Sequence, residues 1–287
     1  MKKFLLLIVL GLVGVFMAAC SENVDFEPQT TVGNTASAVN NTAEKIISAD
    51  YSAEFNGVNG CAVFYSPKTE TYTVYNDEMS NTRYSPYSTF KIIGVLEGLN
   101  CGVLTSEQTK MKYSGDTYPF ESWNKDLTLA EAFKSSCVWY FRQVIDGIGE
   151  QNMQTALNKL GYGNCDISQW KGSGANEQED LNGFWLGSSL KISPVEQVRV
   201  LSDIFEGKTD YTPEQLAVLK NVMKSDADGV YGKTGTGKEP SAWYTGFYEN
   251  NGEKVYFSVY MQDSSAENLA GAAAKETAYK IIDKYYR

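Results

Sequence analysis

Pro86-Tyr87-Ser88-Thr89-Phe90-Lys91 is the stretch that decides the fold of this sequence of 287 residues. A serine followed three residues later by a lysine, at the start of a helix, brings a hydroxyl and an amine onto one helical turn. The amine can then act as the base that makes the hydroxyl nucleophilic, provided that it stays uncharged. The sequence contains no histidine, which excludes Ser-His-Asp and Cys-His relays and His-ligated metals.

The Ser-x-x-Lys pattern occurs four times, starting at Ser88, Ser122, Ser168 and Ser188. Only the first match leads into an apolar run, residues 92–96, that predicts a buried helix. Ser88 would lie at the N-terminus of that helix, and Lys91 would be buried one turn in, where loss of hydration favours the neutral amine. The other three matches lie in polar or turn-like stretches, so we expect their lysines to be solvated. A simple helix N-cap is the alternative role for Ser88.

The N-terminus predicts export. Lys2 and Lys3 precede an apolar run over residues 4–17, which Ala18-Ala19-Cys20 follows. This pattern indicates a lipoprotein-type signal peptide over residues 1–20, with cleavage and lipid anchoring at Cys20. An ordinary secretory signal or an uncleaved anchor are the alternatives. We therefore expect a location in the cell envelope, in the periplasm or on the outer face of a bacterial membrane, with membrane contact only through the N-terminus.

The rest of the chain predicts a linker and one domain. Residues 21–45 are polar and lack an apolar period, which is typical of a flexible linker, and residues 46–287 suffice for one domain with a substantial core. The net charge of −10 argues against binding to nucleic acid. The sequence assigns neither a disulfide pair nor an oligomeric state. We interpret the four cysteines after Cys20 as small buried hydrophobes; they are Cys61, Cys101, Cys137 and Cys165.

Strand patterns occur at both ends of this domain and helical patterns fill the middle. The predicted strands cover residues 61–65, 71–75, 242–248 and 254–261, and the predicted helices cover residues 128–146 with an internal break, 150–160, 193–205, 212–223 and 268–286. We predict an α+β fold in which a central antiparallel sheet, made from both chain ends, is covered by helices. A helical subdomain would complete it, with the active site in the cleft between the two parts.

Lys233-Thr234-Gly235 is a second candidate motif, in a glycine-rich stretch before the last two strands. A glycine on an edge strand lets a ligand approach the backbone closely, and the lysine and threonine supply a cation and a hydroxyl for a carboxylate. Alone, this stretch is equally typical of a turn. Three further groups lie in order between the two motifs: Ser136-Cys137-Val138, Tyr162-Gly163-Asn164 and Phe184-Trp185-Leu186.

With these five motifs in this order, the sequence resembles the class D, or oxacillinase-type, serine β-lactamases of the penicillin-binding-protein/β-lactamase superfamily. The resemblance implies a β-lactamase/transpeptidase-like fold. It also implies hydrolysis of the β-lactam amide of penicillin-type antibiotics, and hence resistance to them. It implies no metal, and no cofactor other than carbon dioxide or bicarbonate, which would carboxylate Lys91.

The resemblance also assigns roles to residues. Ser88 would attack the β-lactam carbonyl and form an acyl-enzyme, with carboxylated Lys91 as general base in acylation and deacylation. Ser136 would relay a proton to the leaving nitrogen, with Lys233 polarising it. The remaining assignments are an apolar pocket and an indole N–H that hold the carbamate (Phe90, Val138, Leu186 and Trp185) and a substrate-binding and oxyanion strand (Thr234, Gly235 and Thr236).

One departure from the family concerns the substrate carboxylate, which many members hold with an arginine between Lys-Thr-Gly and the last helix. Residues 263–275 contain no arginine here. Thr234, Thr236 or a lysine such as Lys238 are the possible substitutes, so the substrate range stays open.

Two other functions are compatible with the same motifs. A small D,D-peptidase acting on peptidoglycan is disfavoured by Val138, since penicillin-binding transpeptidases usually carry asparagine there. A β-lactam sensor would be acylated without turnover. Sensor receptors of this kind carry several spanning helices and a His-Glu-x-x-His protease, so we expect this histidine-free sequence not to be such a receptor, although a soluble partner of a signalling chain stays open.

Overall fold

The computed structural model describes residues 45–266 and 269–287, which belong to one compact unit. The predicted signal peptide, Cys20 with its predicted lipid anchor, and residues 21–44 of the predicted linker lie outside the described residues. None of the helices in the described ranges is both long enough and apolar enough to cross a bilayer.

The described strands are β1 (Lys45–Ser48), β2 (Gly60–Ser66), β3 (Thr71–Tyr75), β4 (Lys110–Met111), β5 (Leu127–Thr128), β6 (Val230–Thr236), β7 (Ser241–Asn250) and β8 (Glu253–Gln262). The α-helices are α1 (Ser52–Phe55), α2 (Asp77–Asn81), α3 (Lys91–Asn100), α4 (Leu129–Lys134), α5 (Val138–Ile148), α6 (Glu150–Leu160), α7 (Pro194–Phe205), α8 (Pro213–Met223) and α9 (Gly271–Tyr285). Short 3-10 turns occur at Tyr87–Phe90, Glu121–Trp123 and Glu179–Leu181.

The main sheet has six strands in the order β1-β3-β2-β8-β7-β6, and β4 pairs with β5 separately. The predicted α+β fold, with strands from both chain ends, is confirmed. The sheet is mixed rather than antiparallel, because β1 runs parallel to β3. The chain reverses through α1 between β1 and β2, and β2 is antiparallel to β3, so β1 runs in the direction of β3.

Local capping explains why the predicted helix boundaries agree so closely with the structure. Ser193 and Thr212 each cap a helix through a reciprocal capping box, and a proline occupies the first turn of α7 and of α8. Gly161 ends α6 in the left-handed conformation. The predicted helix over residues 128–146 is broken at residues 135–137, so that α5 starts afresh at Val138.

The two faces of the sheet bury separate apolar layers. Val63 faces the larger layer with α3, α5 and α7, whereas Ala62 and Phe64 face the layer under α9, as strand alternation requires. The four cysteines of this part are free thiols. Cys61 and Cys137 are buried as predicted, but Cys101 is exposed because it follows the last turn of α3 at the surface.

Replacing Gly246 with alanine should destabilise the sheet strongly. An added Cβ would lie 1.9 Å from the Tyr231 carbonyl oxygen and 2.6 Å from the Cα of Gly232, so backbone would have to move. We expect a loss of about 3 kcal/mol in the free energy of unfolding, or about 6–12 °C in Tm. Gly94→Ala is the matched control, because its Cβ would meet only the Phe141 ring at 3.4 Å. Equal Tm values for the two variants would contradict this packing.

Candidate active site

Hydrogen bonds from two sides hold the turn Tyr87–Phe90, which carries Ser88. One set comes from the segment around Trp185 and the other from Trp243 in β7. The Ser85 hydroxyl donates to the Trp185 carbonyl at 3.1 Å and accepts from the backbone N–H of Gly187 at 2.9 Å. The Trp243 indole donates to the Ser85 carbonyl at 3.0 Å, and the N–H of Tyr87 donates to the Trp185 carbonyl at 3.0 Å. Tyr87 has a φ of 47°, a conformation that costs energy for a residue with a side chain and persists where neighbours fix it.

Lys91 is buried directly beside Ser88. Its Nζ lies 2.7 Å from the Ser88 Oγ, and the residue is only 1% exposed. Burial lowers the pKa of Lys91 to about 7, with the nearby Cys137 acting in the opposite direction. At neutral pH a large share of the Lys91 side chains is therefore uncharged, and a neutral amine in hydrogen-bond contact with a hydroxyl can accept its proton.

Ser136 and Lys233 meet across the cleft although 97 residues separate them in sequence. The Nζ of Lys233 lies 3.0 Å from the Oγ of Ser136 and also donates to the carbonyl of Thr234 at 3.0 Å. Ser136 lies in the break between α4 and α5 with a φ of 58°, which turns the chain toward the sheet. Burial holds the pKa of Lys233 well below its usual value, and the charge of Lys91 lowers it further. The two lysines therefore belong to one electrostatic cluster.

Gly235 of the edge strand β6 packs closely against the turn that carries Ser88. A Cβ on Gly235 would lie 3.1 Å from the Pro86 carbonyl oxygen and 3.2 Å from the Cβ of Trp243, tighter than most such contacts. Thr236, the next residue, is exposed, and its Oγ1 accepts the Gly271 N–H at 2.9 Å. Its hydroxyl proton thus stays available to a ligand.

Trp185 is fully buried, and its ring stacks on Phe90 with centroids 5.8 Å apart. In the part of the chain that the structure describes, its indole Nε1 has no hydrogen-bond partner. A buried N–H without an acceptor costs about 1–3 kcal/mol, so an acceptor bound there would remove this cost. Gly183 allows this ring position, since a Cβ on it would lie 2.2 Å from the indole.

The other residues assigned by resemblance have supporting positions. Val138 and Leu186 are half-buried and pack on the larger apolar layer. Asn164 fixes the chain before α7 by hydrogen-bonding the Ser189 carbonyl at 2.9 Å and the Lys191 N–H at 2.9 Å. Tyr162-Gly163-Asn164 therefore forms a structural turn in this structure.

Two aromatic rings of the site were not predicted from the sequence. Phe141 lies 5.4 Å from the Nζ of Lys91, and Phe133 lies 5.7 Å from the Nζ of Lys233. Phe141 follows Val138 by three residues and so shares its helix face, a signal that could have revealed it.

In the other three Ser-x-x-Lys matches, the serine or the lysine has a different partner. Lys125 pairs with Glu131 at 2.9 Å and Lys171 with Asp146 at 3.2 Å, both as exposed lysines. The Ser188 hydroxyl donates to Gln169 at 2.6 Å. Lys238, a candidate for the substrate carboxylate, donates instead to the carbonyl of Ala175 at 2.6 Å.

Comparison with known proteins places this arrangement in a family. The model of the penicillin binding protein transpeptidase domain matches residues 35–283. The chain belongs to the penicillin-binding transpeptidase family. A curated relative in this family is the probable β-lactamase YbxI of Bacillus subtilis, 32% identical over 81% of this chain and 83% of YbxI.

Relatives of two kinds lie in this part of the family. BlaR1 of Bacillus licheniformis, a regulatory protein, is 32% identical over 82% of this chain, which spans only 38% of BlaR1. The solved C-terminal domain of the Bacillus licheniformis BlaR penicillin-receptor superposes with a TM-score of 0.75 at 30% identity, covering 84% of this chain and 97% of that domain. The class D β-lactamase of Bacillus subtilis superposes with a TM-score of 0.72 at 32% identity, covering 83% and 95%.

Lys91→Met should stabilise the protein in buffer freed of carbon dioxide, and more so at low pH. The folded-state pKa of Lys91 is about 7, below the ordinary value of 10.5, so the unfolded chain binds the extra proton between these values. The cost of burying Lys91 is thus complete below about pH 7 and fades toward about pH 10.

Urea unfolding at about pH 6 and about pH 9.5 measures this difference, with the exposed Lys134→Met as the control, for which we expect no such trend. A Lys91→Met variant less stable than the wild type at the lower pH would show that the amine is not buried at a cost.

Proposed function

We propose that this protein hydrolyses the β-lactam amide of penicillin-type antibiotics through an acyl-enzyme on Ser88. The observation that carries the proposal is the 2.7 Å contact between Ser88 and Lys91, whose burial lowers its pKa to about 7. An amine that is neutral near physiological pH can react with carbon dioxide, and its contact with the hydroxyl places the resulting base for acyl transfer without histidine.

Each residue in the cluster has a part in acylation. Carboxylated Lys91 would take the Ser88 hydroxyl proton as Oγ bonds to the β-lactam carbonyl carbon, and the backbone N–H groups of Ser88 and Thr236 are the donors for the resulting oxyanion. The ring C–N bond then breaks, and the proton taken from Ser88 passes to the ring nitrogen through the Ser136 hydroxyl, which Lys233 polarises over their 3.0 Å contact. An ester on Ser88 remains, and the base is free again for deacylation.

Deacylation needs a base a second time, and the surroundings of Lys91 fit carboxylation of its amine by carbon dioxide. The amine is buried with a lowered pKa, as the reaction with carbon dioxide requires, and the Trp185 N–H lacks an acceptor. A carbamate supplies a carboxylate base for the hydrolytic water. Trp185 would hold that carboxylate by its indole N–H, while Phe90, Val138 and Leu186 supply the apolar surroundings and keep solvent away.

The hydroxyls of Thr234 and Thr236 are the groups we assign to the substrate carboxylate. Thr236 is exposed at the end of the edge strand with its proton available, and the Thr234 hydroxyl lies 3.3 Å from the Nζ of Lys233. A carboxylate at this edge would also be attracted by Lys233 whenever that amine is protonated. The lipid-anchored envelope location inferred for Cys20 fits an enzyme that meets antibiotics outside the cytoplasm.

A second candidate function is a β-lactam receptor that becomes acylated and stays so. The similarity to the BlaR penicillin-receptor domain, with a TM-score of 0.75, favours it. Both functions require Ser88 and Lys91, and they differ in the fate of the ester.

Time-resolved intact mass of the full chain in mild detergent, mixed with a small excess of benzylpenicillin, tests the proposal. We expect a penicilloyl adduct that forms and then disappears as the penicillin is consumed, because the base also activates water. A Ser88→Ala variant should show no adduct. An adduct that persists for hours would support the receptor instead, and no adduct on the wild type would refute both functions.

Trp185→Phe should slow deacylation much more than acylation, because it keeps an aromatic ring but removes the unpartnered N–H. We expect a loss of about 10–100-fold in kcat, partly restored by added bicarbonate. Carbon-13 NMR with labelled bicarbonate gives an independent readout, since the carbamate signal should weaken in the variant. Trp170→Phe, which removes an exposed indole N–H bonded to Asp146, is the control. A wild-type kcat in Trp185→Phe would limit Trp185 to packing.

A further inference from the structure

One loop connects the two walls of the candidate active site. We name residues 172–182 the strap. Its ends meet, because a Cβ on Gly172 would lie 2.5 Å from the backbone nitrogen of Gly183. Gly183 in turn packs on the Trp185 indole. The strap is therefore a compact loop rooted beside the buried tryptophan of the site.

The strap is internally ordered by hydrogen bonds. The Asn182 side chain donates to the carbonyls of Asn176 at 2.9 Å and Gln178 at 3.0 Å, and its Oδ1 accepts the Asn176 N–H at 3.0 Å. Asn182 is only 5% exposed. These hydrogen bonds, closed by a buried amide, make the strap a locally ordered loop.

On the helical side, the strap is anchored to Thr117, Tyr118 and helix α5. The hydroxyl of Tyr118 donates to the Asp180 carboxylate, and the Gln178 amide donates to the Thr117 carbonyl at 3.2 Å. The turn Glu179–Leu181 packs against α5. Because α5 begins at Val138, directly after Ser136 and Cys137, this end of the strap lies on the wall of the site that carries Ser136.

On the sheet side, one lysine holds the strap. The Nζ of Lys238 donates to the Ala175 carbonyl at 2.6 Å. Lys238 comes directly after Gly237, where an added Cβ would lie 2.8 Å from the Tyr87 ring, next to Ser88. The strap thus runs from the Ser136 wall to the end of β6, past the site that contains Ser88 and Lys91.

We propose that the contact of Lys238 with Ala175 makes Lys238 a specificity-determining residue that confines the site to β-lactams with compact side chains. This rests on the function proposed above. A ligand lying along the free edge of β6 meets the strap just beyond Gly237, so long peptides and bulky acyl groups are excluded while a small bicyclic antibiotic fits. We call this hydrogen bond from the Lys238 side chain to the Ala175 carbonyl the tether. Since it is one hydrogen bond, substitution of Lys238 can break it and free the strap without changing the reacting groups.

The test compares Lys238→Met, which keeps the side-chain length but loses the donor, with Lys238→Arg, which keeps a donor. Benzylpenicillin is the compact probe, and a penicillin bearing a bulky fluorescent dye on its side chain is the large one. We expect Lys238→Met to raise kcat/KM, or the acylation rate constant, for the large probe relative to the compact one by about tenfold. Lys238→Arg and the exposed control Lys125→Met should keep the wild-type ratio.

Two kinetic outcomes overturn the proposal. Unchanged rates for both probes in Lys238→Met would show that the strap does not limit entry, and an equal loss for both probes would show that Lys238 binds the substrate carboxylate instead. Hydrogen exchange of the amides in residues 172–182 separates these results from a failure of the proposed function. Exchange should quicken in Lys238→Met but not in Lys238→Arg, whether or not the protein reacts with any β-lactam; unchanged exchange would also refute the tether.

Discussion

The desolvation of one amine is the constraint on which the rest of the site depends. Lys91 follows the serine turn by one residue and opens a helix, α3, that is buried along most of its length, so its side chain has little access to water. An ammonium group in such a place is costly, and the cost appears as a pKa lowered to about 7. Chemistry that other enzymes obtain from histidine is thereby available to a chain that has none.

Residues from distant parts of the chain exclude water from the Lys91 amine. Phe141 from α5 covers it on one side, and the Phe90–Trp185 stack lies beside the same turn. Ser85 and Trp243 then fix the turn to the sheet by hydrogen bonds that no single element could supply. Among the described residues, the same packing leaves the Trp185 N–H without a hydrogen-bond partner, and this is the group that we propose to bind a carbamate on Lys91.

The site contains a second buried lysine, Lys233. Lys233 touches Ser136, and its lowered pKa reflects both burial and the neighbouring Lys91 charge. Lys233 is thus held beside the Ser136 hydroxyl by its packing within the site, where it can polarise that group.

The sequence by itself determined the elements and the chemistry of the first turn. Capping residues such as Ser193 and Thr212 and the apolar run after Lys91 act within a few residues, so helix boundaries and the Ser88–Lys91 pair could be predicted from local rules. Only the tertiary structure decided which remote groups meet, because packing over long sequence separations leaves no periodic signal. It made β1 parallel to β3, brought Ser136 to Lys233 and directed Lys238 to the Ala175 carbonyl.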